Sequence, residues 1–404
     1  MKRHLLALAC WLLVRAALAA DDGQATPSPL PSPWRMTGSV AMGARLYQHP
    51  DEPGRESHRA ALRLSPEWRW TDGAWQFVAS PVLDAEGAGN GRSQVGFDAL
   101  HVAARLDGMS FKAGLSKLFW GVTESRHLVD VVNPPDLAHH YAAEQRLATA
   151  MLYIALPTPA GQLETLLLPW ERDPRFPGPH GRPRTALPIG GEVNHPNGRP
   201  PAFATRLTVS RGDFDAHLYF FRGLDRETVL TVRPRPQAPP SELAAMRQLV
   251  RQWGADLQVP VGNFLVKSEL TYRSGYSHGF LSGVAGGEYA LSGIGGSVVD
   301  VTLLGEYQFD RRPADAPLTA LRHGAYAGVR VALNDPDSTE FKFGVIVETA
   351  TGARVRRADG SRRVATNWTV EAALSVFQNA RGSAVLQDYW RDGHVEILAR
   401  YHFQ

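Results

Sequence analysis

From residue 34 onward, apolar and polar positions alternate with period two. In the final stretch Val395, Ile397, Ala399, Tyr401 and Phe403 share one face, and His394, Glu396, Arg400 and His402 share the other. This is the mark of a strand with one apolar and one wet face. The pattern recurs with Leu62, Leu64, Trp68 and Trp70 against Arg63, Glu67 and Arg69, and with Phe264, Val266, Leu270 and Tyr272 against Lys267, Glu269 and Arg273. Further instances run through Phe214–Phe220, Val299–Leu303, Phe341–Val347 and Trp368–Leu374.

The connections between these segments alternate between short and long. Short turns are expected at 71–73, 107–109, 157–161, 211–213, 260–263, 292–296, 334–338 and 365–367. Between them fall 48–56, 85–93, 121–145, 169–202, 223–246, 273–282, 310–322, 349–353 and 378–392. A soluble sandwich has no reason to segregate loop length by end, whereas an outer-membrane barrel places short turns on the periplasmic side and long loops outside. The expected fold is therefore all-β, a single antiparallel transmembrane barrel of eighteen strands. The charged segment 354–364 is counted as a strand by parity, and sixteen strands is the alternative. Trp34, Trp68, Trp70, Tyr272, Tyr307, Trp368, Trp390, Tyr401 and Phe403 fall near expected strand ends, where interfacial girdles form.

Composition narrows the class. Hydrophobic residues make up 44% and charged residues 21%, too apolar for a disordered chain, while 29 Pro and 38 Gly argue against a helical bundle. No apolar run after residue 20 is long enough for a membrane helix. Residues 1–20 read as a secretory signal peptide, with Lys2 and Arg3 ahead of an apolar run and Ala17-Leu18-Ala19 at its end. The run continues past Cys10, which argues against a lipoprotein cysteine. Residues 21–33 are a Pro-rich leader, and 34–404 form the barrel as one domain. The signal holds three of the 43 basic residues and no acid, so the remainder balances 40 bases with 40 acids and gives no argument for nucleic acid. Cys10 is the sole cysteine, leaving the mature chain without a thiol nucleophile or Cys-ligated metal.

Lipid-facing charge costs about 2–4 kcal/mol at the bilayer midplane for Arg or Lys. Arg45, Arg63, Arg69, Arg105, Lys112, Arg206, Lys267, Arg330, Lys342 and Arg400 are therefore expected to face inward. So are Glu67, Asp215, Asp256, Glu269, Asp300, Glu306, Glu371 and Glu396. The signs nearly balance, which fits either a watery pore or a cross-linked plug.

The stretch 112–136 carries the most specific motif, Trp120-Gly121-Val122-Thr123-Glu124-Ser125 followed by Asn133-Pro134-Pro135-Asp136. Shorter echoes are Leu168-Pro169-Trp170-Glu171-Arg172, Phe176-Pro177-Gly178 with Arg182, Glu306-Tyr307 with Asp310, and Ala332-Leu333-Asn334-Asp335. With these residues the chain resembles a group of Gram-negative outer-membrane barrels that share the Trp-Gly-Val-Thr-Glu-Ser segment. More loosely it is similar to alginate-export-type channels. The resemblance implies a β-barrel channel without fixing a substrate, and Pro134-Pro135 stands where a polar pair is expected.

Gly121 permits a reversal, and Ser125–Val132 is expected to form one or two helical turns ended by Pro134. Glu124, Arg126, His127, Asp130 and Asp136 are expected to crowd together. They either narrow the pore and touch solute, or brace the wall as a salt-bridged loop. The loop 169–202, with nine prolines and Arg172, Arg175, Arg182, Arg184 and Arg199, either covers the pore or lies on the surface. His139-His140 with His127 and Asp136 lacks metal-site spacing, so no metal or cofactor is expected. Ser125 near His127 is the local candidate for a hydrolase. The glycine-rich run 275–296 lacks a phosphate-loop motif, and Gly283, Gly286 and Gly287 read as relief of crowding in the wall.

The leading expectation is a passive, non-enzymatic channel or export pore of the bacterial outer membrane for a hydrophilic solute. The expected partners are outer-membrane lipid and, during insertion, the barrel-assembly machinery. No plug-type domain is expected ahead of the barrel, which argues against energy-coupled uptake. The alternative is a closed structural or assembly barrel binding a partner through its outer loops, and a third reading is a membrane-embedded hydrolase.

Overall fold

The computed structural model describes residues 33–50, 53–86, 93–138, 145–234 and 239–404. The expected signal peptide and all of the leader but Pro33, with His139-His140, lie outside the described residues. The first nine strands are β1 (Trp34–Tyr47), β2 (His58–Asp72), β3 (Trp75–Glu86), β4 (Gln94–Leu106), β5 (Met109–Ser116), β6 (Thr149–Thr158), β7 (Gly161–Leu168), β8 (Ala202–Arg211) and β9 (Phe214–Leu224). A small hairpin, β10 (Val229–Val232) with β11 (Leu243–Met246), follows inside a loop. The wall resumes with β12 (Leu249–Val261), β13 (Phe264–Ser274), β14 (Phe280–Leu291), β15 (Asp300–Asp310), β16 (His323–Ala332), β17 (Glu340–Glu348), β18 (Arg354–Ala365), β19 (Trp368–Gln378) and β20 (His394–Phe403).

Every wall strand pairs antiparallel with its neighbours, β9 with β12, and β1 with β20, so eighteen strands close into a barrel. At the seam Phe403 lies over Gly38, where any Cβ would meet its ring. Glycine is required there by close approach. The segment 354–364 does form a strand, β18, paired on both sides.

Both strand termini and eight turns lie at one end, and nine connections lie at the other. The segregation by length is imperfect. Connections 292–299 and 333–339 at the short-turn end exceed 275–279 and 349–353 at the long-loop end. One correction concerns 223–246, whose middle folds into the β10–β11 hairpin. Another concerns Trp390, which lies in the 379–393 loop beneath the Arg391 guanidinium, 4.5 Å from the ring, and away from any strand end.

The outer face carries exposed Met42, Trp253, Leu270, Leu303, Phe343 and Ile397, as a wall facing hydrocarbon must. The inner face is not uniformly wet. Met151, Leu166, Leu168, Ala202, Ala204, Tyr219, Phe221 and Val250 point into the barrel from β6–β9 and β12, and they pack with Trp120, Val129, Val131 and Val132 of the β5–β6 connection. The core of the molecule therefore sits inside the lumen.

Candidate functional site

The β5–β6 connection begins at 117, earlier than the sequence suggests, and turns inward. Asn133, fully buried, staples its base. The amide oxygen accepts from Leu118 N at 2.8 Å, and its nitrogen donates to Ser116 O at 3.0 Å and Leu147 O at 2.9 Å. Trp120 is buried against Tyr219, 5.2 Å between ring centroids, with the Arg206 guanidinium 5.5 Å from its ring.

Beyond Trp120 the loop crosses the barrel. Glu269 of β13 accepts from the backbone N–H of Val122 at 2.9 Å and Thr123 at 3.2 Å on one oxygen, and of Leu128 at 2.5 Å and Val129 at 3.2 Å on the other. The Thr123 hydroxyl lies 2.8 Å from the first oxygen. Glu306 of β15 accepts from Glu124 N at 2.7 Å, Ser125 N at 2.7 Å and the Ser125 hydroxyl at 2.6 Å. Glu124 itself pairs with Lys342 of β17 and with Arg330 of β16 at 3.3 Å. β16 stands nine strands from β5 in either direction around the ring, so the loop reaches the opposite wall.

This geometry corrects the helical expectation for 125–132. Those residues are irregular because wall carboxylates take the N–H groups that a helix would bond to its own carbonyls. Gly121 has φ +134°, and a Cβ there would lie 2.8 Å from the Glu269 carboxylate, so glycine is required on both counts.

Of the five residues expected to crowd together, His127 and Asp130 stay within electrostatic reach of each other, and the rest disperse. Glu124 goes to Lys342 and Arg330. Arg126 reaches Asp310 at 3.0 Å, Asp130 accepts from Arg146 at 2.9 Å, and Asp136 pairs with Arg175. His127 stacks edge-on to Phe119 at 4.7 Å. Each finds a separate partner because the extended loop spreads its side chains over several walls, where a helix would have gathered them. Ser125 and His127 are likewise not brought together: the Ser125 hydroxyl donates to Glu306, and His127 Nδ1 is buried without a partner among the described residues.

Other long connections close over this loop. Arg226 donates to Val131 O at 2.8 Å, Val132 O at 2.9 Å and Glu171 at 2.5 Å. Arg247, fully buried, donates to Asp225 O, Arg172 O and the Asp173 carboxylate. Arg182 is also fully buried; it pairs with Asp392 at 2.7 Å, donates to His49 O at 2.8 Å and lies 4.2 Å over the Tyr47 ring. Arg172 donates to Ala148 O at 3.0 Å. The 169–202 loop is thus woven into the cover over the barrel mouth. Burial pushes the Asp392 carboxyl up, more than Arg55 and Arg182 pull it down. Burial also raises the Glu124 carboxyl, but Lys342, Arg330 and Lys267 outweigh it and hold it below the usual carboxylate range.

The remaining inward residues line the wall in pairs. Arg63 meets Asp84 and Asp98, Arg206 meets Glu164 at 2.5 Å, Arg400 meets Glu371 at 2.9 Å, and Glu396 meets Arg45 at 2.8 Å and Arg59. Lys267 and Arg330 share Glu288. Lys112 bonds Ser116 at 3.3 Å, Arg105 is exposed near the β4–β5 turn, and Asp300 sits at the short-turn rim bonded to Asn334. Sequence reasoning missed Asp225, Arg226, Arg247 and Asp392. They lie in loops without periodicity, and their partners are distant in sequence, so no local signal marks them.

No protein-family model matches the chain, and no curated relative matches it. Among solved structures, Wzi, an Escherichia coli outer-membrane protein described as a carbohydrate-binding β-barrel involved in group 1 capsule assembly, superposes with a TM-score of 0.52 at 10% identity, over 92% of this chain and 85% of that one. A mutant of the Rh. blastica porin superposes with a TM-score of 0.44 at 11% identity, over 92% of this chain and all of that one. The Wzi likeness is one of fold: a closed, outer-membrane-type barrel.

Proposed function

We propose that this chain is an outer-membrane barrel closed at rest, whose buried loop cover presents a binding face to a hydrophilic partner or polymer. One observation carries the reading: the 117–138 loop reaches the opposite wall and is held there by the Glu269 and Glu306 carboxylates. A loop set only to narrow an open pore has no need to surrender its own backbone hydrogen bonds to the far wall. The long loops would face outward and the termini the periplasm, with insertion by the barrel-assembly machinery. No catalytic role is assigned. Kinship with the Trp-Gly-Val-Thr-Glu-Ser barrels and with alginate-export-type channels belongs to this proposal. Its support is that residues 120–125 and 133–136 are those of the crossing loop.

A second reading has its own observation. Toward the short-turn end, ion pairs such as Arg69–Glu67 and Arg400–Glu371 are partly exposed inside the barrel, as in a watery vestibule. This favours a channel gated by release of the crossing loop. Solute-driven swelling of proteoliposomes separates the readings. No swelling beyond empty vesicles is expected, and uptake of small sugars by the unmodified protein would overturn the closed resting state.

A further inference from the structure

Alternation places Arg222 of β9 and Arg251 of β12 on the outer face, both exposed, while their neighbours Phe221, Val250 and Gln252 are buried inward. The two arginines are directly opposite in the ladder. Like charges so placed repel, and a protein gains nothing from the arrangement alone. They stand at the long-loop rim, one pleat beyond an aromatic cluster in which Phe220 lies 4.5 Å from Trp253 and 6.3 Å from Phe203. Aromatic residues of this kind mark the boundary between hydrocarbon and headgroups. Ser274 is the next residue across from Arg251. Neither guanidinium has a hydrogen bond or ion pair among the described residues. The short-turn end differs: Arg362, also on the outer face, is paired with Asp335 and Asp337 of its own chain.

We infer that Arg222 and Arg251 form a binding site for the phosphate of a phosphorylated lipid headgroup in the leaflet at the long-loop end. Paired guanidinium forks match phosphate oxygens, and a bridging dianion turns the cross-strand repulsion into attraction. The aromatic cluster below gives the acyl chains an apolar wall, which a free anion would not need. Arg354 and Arg356, exposed on the outer face of β18 at the same rim, extend the basic belt. The inference rests on the membrane placement proposed above. It is independent of whether the lumen conducts, so a conductance result leaves it untouched.

Native mass spectrometry of the full chain in detergent tests it, with a bisphosphorylated glucosamine lipid as probe. Retention of the lipid is expected, weakened roughly 30-fold in R222Q/R251Q, from about fivefold per arginine near an anionic surface. R362Q should bind as the parent does. The same lipid stripped of phosphate should bind the parent chain as weakly as the double variant binds the intact lipid. That comparison decides the matter alone if the double variant fails to fold. Equal retention of the two lipids, or equal binding by parent and double variant, would overturn the site. Inorganic phosphate matching the lipid's affinity would make it a free-anion site and overturn the lipid assignment.

Discussion

The two ends of the barrel use the same residue types to opposite effect. At the long-loop end Arg182, Arg247, Arg226 and Asp392 are buried, each held by several partners across distant loops. At the short-turn end Arg400–Glu371 and Arg362–Asp337 pair while open to solvent. Buried pairs are costly to break because the survivor is left charged in a dry site, whereas exposed pairs contribute little. On the closed-barrel proposal, this difference gives the work of sealing to one end and leaves the other as solvated wall.

Substitutions should sort along that axis. Glu269→Ala is expected to have the largest effect. It orphans four loop N–H groups, each costing about 1–3 kcal/mol when unsatisfied, so the loop should leave the wall and limited proteolysis should cut within 117–138. Protection equal to the parent would break the comparison. Asp392→Ala should destabilise by about 3–5 kcal/mol, read as a lowered thermal midpoint, because buried Arg182 and Arg55 both lose this carboxylate.

Acid should act on the tether next. The depressed Glu124 carboxyl contributes stability that is present above its ordinary value of 4.5 and is lost as pH falls through the lowered one. Loop protease sensitivity should therefore rise on acidification below that value, and Glu124→Gln should remove this part of the pH dependence. The smallest effect is expected for Arg400→Gln at a partly exposed pair, about 0–1 kcal/mol. A loss as large as that of Asp392→Ala would erase the distinction between the ends.

Strands were legible because period two and turn spacing are local properties. Even the arginine-rich 354–364 falls into place once parity is enforced. The crossing loop was only half legible. Trp120–Ser125 and Asn133–Asp136 stood out as motifs, but Glu269 and Glu306 look like any other inward acid of an alternating strand. Their role depends on N–H groups 140 or more residues away. The same contacts explain the helix that did not form. Cost arguments placed charge inward, yet Arg222 and Arg251 face outward, at the rim where that cost falls to about 0–1 kcal/mol.

The most direct test of the sealed barrel is single-channel recording in planar bilayers, comparing the parent with Glu269→Ala/Glu306→Ala. The parent should be silent and the double variant should show stable steps, because only the variant frees the loop from the far wall. Steady conductance from the parent, unchanged in the variant, would contradict the claim that the crossing loop closes the lumen.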